Sequence, residues 1–165
     1  MRHGSIAVIS VVLGILILAP SAMAGTLVEF EGGIGVIPVV AGGGANVVRG
    51  VPPAGAPWVI RKFDAKVKEN GDIRAEGKGL VLAGTNNIGT RGGVGMVAAT
   101  LFCGSDVAHS SGAHPLAADG DFKIRDTLSP TPPDPCNNPV LLIRANGNTG
   151  PWLAAGILKL EKEDD

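Results

Sequence analysis

An all-β fold, an immunoglobulin-like β-sandwich of about seven or eight antiparallel strands, is what this 165-residue sequence predicts, with a small β-barrel as the alternative. Three observations predict it. Apolar and polar residues alternate at period two in the clearest windows. Short apolar runs are punctuated throughout by Gly, Pro, Asn and Asp, with 25 glycines and 12 prolines in the chain. No window carries a convincing helical period.

The elements follow in order. Residues 26–31 read as the first strand and 35–40 as the second. Residues 41–57 are too rich in Gly and Pro for a strand interior and read as a surface loop. Next comes the strongest local signal. Phe63, Ala65 and Val67 alternate with Lys62, Asp64, Lys66 and Lys68; Glu69-Asn70-Gly71-Asp72 then makes a turn. Beyond it Ile73, Ala75 and Gly77 alternate with Arg74, Glu76 and Lys78. Period two on both sides of Asn-Gly is a β-hairpin with one wet face, so Val67 and Ile73 should point inward.

Residues 80–83 read as a continuation of the hairpin's second arm, and 95–103 as the next strand, with Val97, Ala99, Leu101 and Cys103 sharing a face. Asp119-Gly120 opens a strand over 121–128, and 129–139 is a Pro-rich loop. The last strands cover 139–144 and 152–160, joined by Ala145-Asn146-Gly147-Asn148-Thr149-Gly150. Phe30, Trp58, Phe63, Phe102, Phe122 and Trp152 fall in or beside these runs and read as core. Two tryptophans flanking a Cys-containing strand suit immunoglobulin-like packing, although the Cys spacing is not the antibody pattern.

The compartment is written at the N-terminus. Met1-Arg2-His3 is a short positive start, residues 6–18 are apolar but for Ser10 and Gly14, and Pro20 breaks any helix. Ala22-Met23-Ala24 then places small residues where a signal peptidase reads, with Gly25 following. The expectation is a cleavable signal peptide over residues 1–24, cut between Ala24 and Gly25. A single β-sandwich domain over 25–165 follows, ending in the acidic tail Glu161-Lys162-Glu163-Asp164-Asp165. The apolar run is shorter than the roughly 20 residues a spanning helix needs, and no second run exists, so the mature form should have no membrane span. Such a product is periplasmic or extracellular. Its two cysteines, Cys103 and Cys136, are then most simply a structural disulfide. A formal charge of −1 gives no overall electrostatic footprint for nucleic acid or an anionic membrane.

Several phrases occur together: Phe30-Glu31-Gly32-Gly33-Ile34-Gly35-Val36-Ile37-Pro38, Val48-Arg49-Gly50-Val51 and Gly79-Leu80-Val81-Leu82-Ala83-Gly84. Ala99-Thr100-Leu101-Phe102-Cys103, Gly120-Asp121-Phe122 and Pro139-Val140-Leu141-Leu142-Ile143-Arg144 complete the set. In these the chain resembles a group of exported bacterial hypothetical proteins. The resemblance implies a bacterial source and an exported domain; it carries no activity, ligand or catalytic residue.

Candidates for chemistry are few. Asp106, His109, Ser110, Ser111 and His114 supply the side-chain types of a Ser-His-Asp hydrolase. A triad is a geometry assembled from separate elements, however, and no Gly-x-Ser-x-Gly elbow occurs, so the stretch reads as a hydrophilic loop between strands. His109 and His114, with Asp119 or Asp121, suit zinc or copper in kind, but their spacing matches no metal motif. Asp119-Gly120-Asp121 falls short of a calcium loop.

The glycine-rich segments Gly32-Gly33-Ile34-Gly35, Gly42-Gly43-Gly44 and 84–95 lack the following helix that a phosphate loop needs. The absence of tyrosine weakens carbohydrate and base-stacking readings. No catalytic, metal or cofactor site is expected. The sequence points to a non-enzymatic exported module of the envelope or medium, with a protein or envelope polymer as the partner class. The alternative is a secreted hydrolase or metal-dependent enzyme using the His109–His114 loop.

Overall fold

Alternation decides two adjacent strands of the molecule. In the computed structural model, which describes residues 24–41, 44–104 and 106–160, Phe63, Ala65, Val67, Ile73 and Ala75 are all buried while the intervening charged residues face water. The expected signal segment, apart from Ala24, and the acidic tail 161–165 lie outside the described residues.

Thirteen strands follow in chain order among the described residues: β1 (Thr26–Gly35), β2 (Val40–Ala41), β3 (Gly44–Ala45), β4 (Trp58–Val59), β5 (Lys62–Lys68), β6 (Asp72–Lys78) and β7 (Val81–Leu82). After these come β8 (Met96–Cys103), β9 (Ala108–Ser110), β10 (His114–Pro115), β11 (Phe122–Thr127), β12 (Pro139–Ala145) and β13 (Trp152–Leu158). No helix is present among the described residues, and the strand ladders are antiparallel.

The hairpin turn is built as its residues require. Val67 pairs with Ile73, and the Gly71 amide returns to the Lys68 carbonyl at 2.9 Å. Gly71 takes φ 87°, the left-handed conformation that glycine adopts without steric cost. Asn70 fastens the turn by accepting the Asp72 amide at 3.1 Å and donating to its carboxylate at 3.0 Å.

The main sheet runs β10-β8-β12-β13-β1-β5-β6-β11, with β9 also paired to β8. Its two ends meet. Isolated antiparallel bridges join Ser110 to Ser129 and Leu116 to Phe122, so the sheet is nearly closed and barrel-like. Its interior holds Phe30, Phe63, Val67, Ile73, Ala99, Leu101, Phe122, Ile124 and Ile143.

Several boundaries differ from expectation. Residues 35–40 do not form one strand: β1 runs on to Gly35 through a register shift between Phe30 and Gly33, and the chain then leaves the ladder. Residues 80–83 do not extend β6. Gly79, at φ 64°, turns the chain, and β7 pairs with β4 instead. The 41–57 segment carries the β2–β3 hairpin and buries Val51 and Ala54, with the Ala54 amide bonded to the Trp152 carbonyl. β8 alternates less than expected, because every residue from Val97 to Cys103 is buried. Strands covered on both faces read as near-continuous apolar runs.

Candidate functional site

The residues singled out for chemistry lie where the sheet closes. The 106–114 stretch is no exposed loop: β9 and β10 lie along one edge of β8, and His109, Ser110 and Ser111 are buried. Register explains why polar side chains are needed there. Thr100 faces Ser110 and Val97 faces His114, so three steps along β8 match four along the partner strand. That extra residue is a bulge, which leaves a ladder amide in need of an acceptor. Ser111 supplies it. Its Oγ accepts the Ala99 amide at 3.0 Å and donates to the Gly112 carbonyl at 2.8 Å. Ser110 Oγ is 3.0 Å from Thr100 Oγ1 on the neighbouring strand.

The two histidines part company. His109 Nδ1 lies 2.8 Å from the Pro130 carbonyl. A carbonyl only accepts, so the proton sits on Nδ1 and the ring fastens the Pro-rich loop to β9. His114, half-buried on β10, places Nε2 3.1 Å from Asp126 Oδ2 on β11. The same oxygen accepts the Gly112 amide at 2.8 Å, and Oδ1 accepts the Thr127 amide at 2.8 Å.

Asp126 therefore fills the interval between the two closing bridges, where no strand ladder joins β10 to β11. Burial raises its pKa, but the bonds from His114 and from the Thr127 and Gly112 amides outweigh this and hold the carboxyl below the usual carboxylate range.

Asp119 and Asp121 are occupied elsewhere. Asp119 accepts the Asp121 amide at 3.1 Å, and Asp121 accepts the Gly79 amide at 2.9 Å. Asp106 is exposed. No group of three His, Cys, Asp or Glu side chains able to hold a metal occurs among the described residues. The arrangement joins strands; both serine hydroxyls are committed to partners other than the His114–Asp126 pair.

Sequence reasoning missed Asp126, though a signal was present. Phe122, Ile124 and Leu128 are buried at period two, which sets Asp126 at an inward position where an apolar residue belongs. Arg144 was likewise read as the end of an apolar strand. It is buried, its Nε donates to the Gly150 carbonyl at 2.8 Å, and burial lowers its pKa.

Cys103 and Cys136 form a disulfide, with Cα atoms 4.7 Å apart. It ties the Pro-rich loop to the end of β8, beside the pair Cys103↔Pro139. The bond is consistent with an oxidising, extracytoplasmic location.

Three clefts in the described surface are lined without His109, Ser110, Ser111 or His114. One of 310 Å³ lies over the charged outer face of β1, β5 and β6, where Lys66 meets Glu29 at 2.7 Å and Lys159 meets it at 3.3 Å. A second, of 370 Å³, includes Pro115, Asp121 and Phe122. A third, of 680 Å³, includes Leu27, Cys136, Pro139 and Leu160. Comparison with protein-family models, with curated proteins and with solved structures finds no match to this chain.

Proposed function

We propose that this protein is an exported, non-enzymatic module of the cell envelope or medium, a small β-barrel in form, that binds or braces an envelope component. One observation carries the reading. The side chains suited to chemistry are spent on closing the sheet: His109 on Pro130, Ser110 on Thr100, Ser111 on Ala99 and His114 on Asp126. A hydrolytic site needs a hydroxyl poised on its base, with room beside it for substrate. Here the hydroxyls serve the ladder. Of the two expected architectures, the bridges Ser110↔Ser129 and Leu116↔Phe122 favour the barrel over two separate sheets. The Cys103–Cys136 bond supports export, as does the leader-like sequence before Gly25.

Fractionation of cells expressing the full chain tests this reading. The protein should appear in the periplasm or medium, begin at Gly25 and yield no free thiol when denatured without reductant. Accumulation in the cytoplasm with two reactive thiols would overturn it.

A further inference from the structure

Two Asn-Gly steps occur in the sequence, Asn70-Gly71 and Asn146-Gly147, and each turns the chain between two paired strands. Such a step carries chemistry of its own. The glycine nitrogen is a nucleophile within reach of the asparagine Cγ, and glycine has no side chain to shield it. Closing a five-membered ring between them needs no other residue.

The fold holds the two steps differently. At the β5–β6 turn both reacting groups are engaged. The Gly71 amide donates to the Lys68 carbonyl at 2.9 Å, Asn70 Oδ1 accepts the Asp72 amide at 3.1 Å, and Nδ2 donates to Asp72 Oδ2 at 3.0 Å. The surroundings are close as well: a Cβ placed on Gly71 would meet the Leu128 carbonyl and Pro132, each at 3.3 Å. Ring closure there requires the turn to open and these bonds to break.

The β12–β13 turn is held by its ends alone. The Asn146 amide donates to the Met96 carbonyl at 2.8 Å, and the Ala145 amide to the Pro151 carbonyl at 2.9 Å. Neither the Asn146 side chain nor the Gly147 amide has a hydrogen-bond partner among the described residues. Asn146 is exposed, and a Cβ on Gly147 would meet only Ala113, at 3.9 Å.

We propose that Asn146 is a site of spontaneous deamidation in the folded protein, and that the β5–β6 turn shields Asn70 from the same reaction. The Gly147 nitrogen gives up its proton to solvent and attacks Asn146 Cγ. The new N–C bond closes a succinimide as the side-chain nitrogen leaves as ammonia. Water then opens the ring at either carbonyl, giving aspartate or isoaspartate. One water is consumed, one ammonia is released, and nothing is oxidised or reduced. Either product is a carboxylate, ionised at neutral pH. It adds a negative charge next to Met96, which pairs with Pro115 of β10 at the closing seam. The inference goes beyond the reading as an exported module and does not depend on it.

Trypsin separates the two steps, because residues 69–74 carry Asn70 and residues 145–159 carry Asn146. The purified protein is held folded at mildly alkaline pH and then digested. Mass spectrometry reads the exchange of NH2 for OH in each peptide, with fragmentation assigning the change to Asn146 or Asn148. Asn146 should convert roughly tenfold or more faster than Asn70, since the bonds that hold Asn70 and Gly71 must first open. In protein kept unfolded in urea the two rates should converge. Equal rates in the folded protein, faster conversion at Asn70, or an Asn146 that stays intact in the folded protein would overturn the proposal.

Discussion

A buried serine and a half-buried aspartate do at this seam what backbone groups do elsewhere in the sheet. Ser111→Ala would strip the acceptor from the buried Ala99 amide. An unsatisfied buried donor costs about 1–3 kcal/mol, so urea unfolding of Ser111→Ala should show a loss in that range. Asp126 adds a pH dependence of definite sign. Its folded pKa lies below the unfolded value, so its contribution is present above the ordinary carboxylate value, about 4, and is lost as pH falls through the lowered folded one. With a third of its side chain exposed, that contribution is about 1 kcal/mol. Asp126→Asn should therefore melt lower at neutral pH, and its difference from wild type should shrink as the pH drops below about 4. A constant difference across that range would assign Asp126 a role independent of its charge.

Among the elements, the β5–β6 hairpin was the most legible, because both its pairing and its turn are local in sequence. Val67→Lys places a charge at a fully buried position and should destabilise by roughly 3 kcal/mol or more. Lys66→Ser loses only a solvent-exposed ion pair with Glu29 and should cost about 1 kcal/mol or less in the same melts. Strands β8, β11, β12 and β13 were placed to within three residues at each end, since Gly, Pro and Asn bound them. β9 and β10 were not legible. Two and three residues are too short to show a period, and their serines and histidines have the composition of a loop. What makes them strands is the edge of β8, which is distant in sequence. β7 failed for a related reason: its partner β4 lies beyond the hairpin, and only the chain reversal at Gly79 directs it there.

For the whole molecule, closure is the property that sequence conveyed least. An all-β antiparallel class follows from alternation and punctuation, but closing the sheet depends on Ser110 meeting Ser129 and Leu116 meeting Phe122, and no local pattern encodes those bridges. The disulfide, by contrast, follows from compartment and number alone. It spans 33 residues of sequence, for which loop-closure entropy gives about 4 kcal/mol, with strain and residual unfolded structure reducing this to about 2–4 kcal/mol. Cys103→Ser/Cys136→Ser should lose that much stability in denaturant unfolding, and wild type in reductant should match it.

Amide hydrogen exchange by NMR tests the closed seam most directly. The Ser110 and Ser129 amides donate to each other's carbonyls at 3.0 and 2.9 Å, and the Ser111 amide donates to the Ala99 carbonyl at 2.9 Å. The account predicts that these three exchange slowly, with protection approaching that of Ala65 and Ala75 in the β5–β6 hairpin. Exchange of Ser110, Ser111 and Ser129 at the rate of an unstructured chain would contradict it, returning residues 108–116 to a solvent-exposed loop and freeing His109 and His114 for other roles.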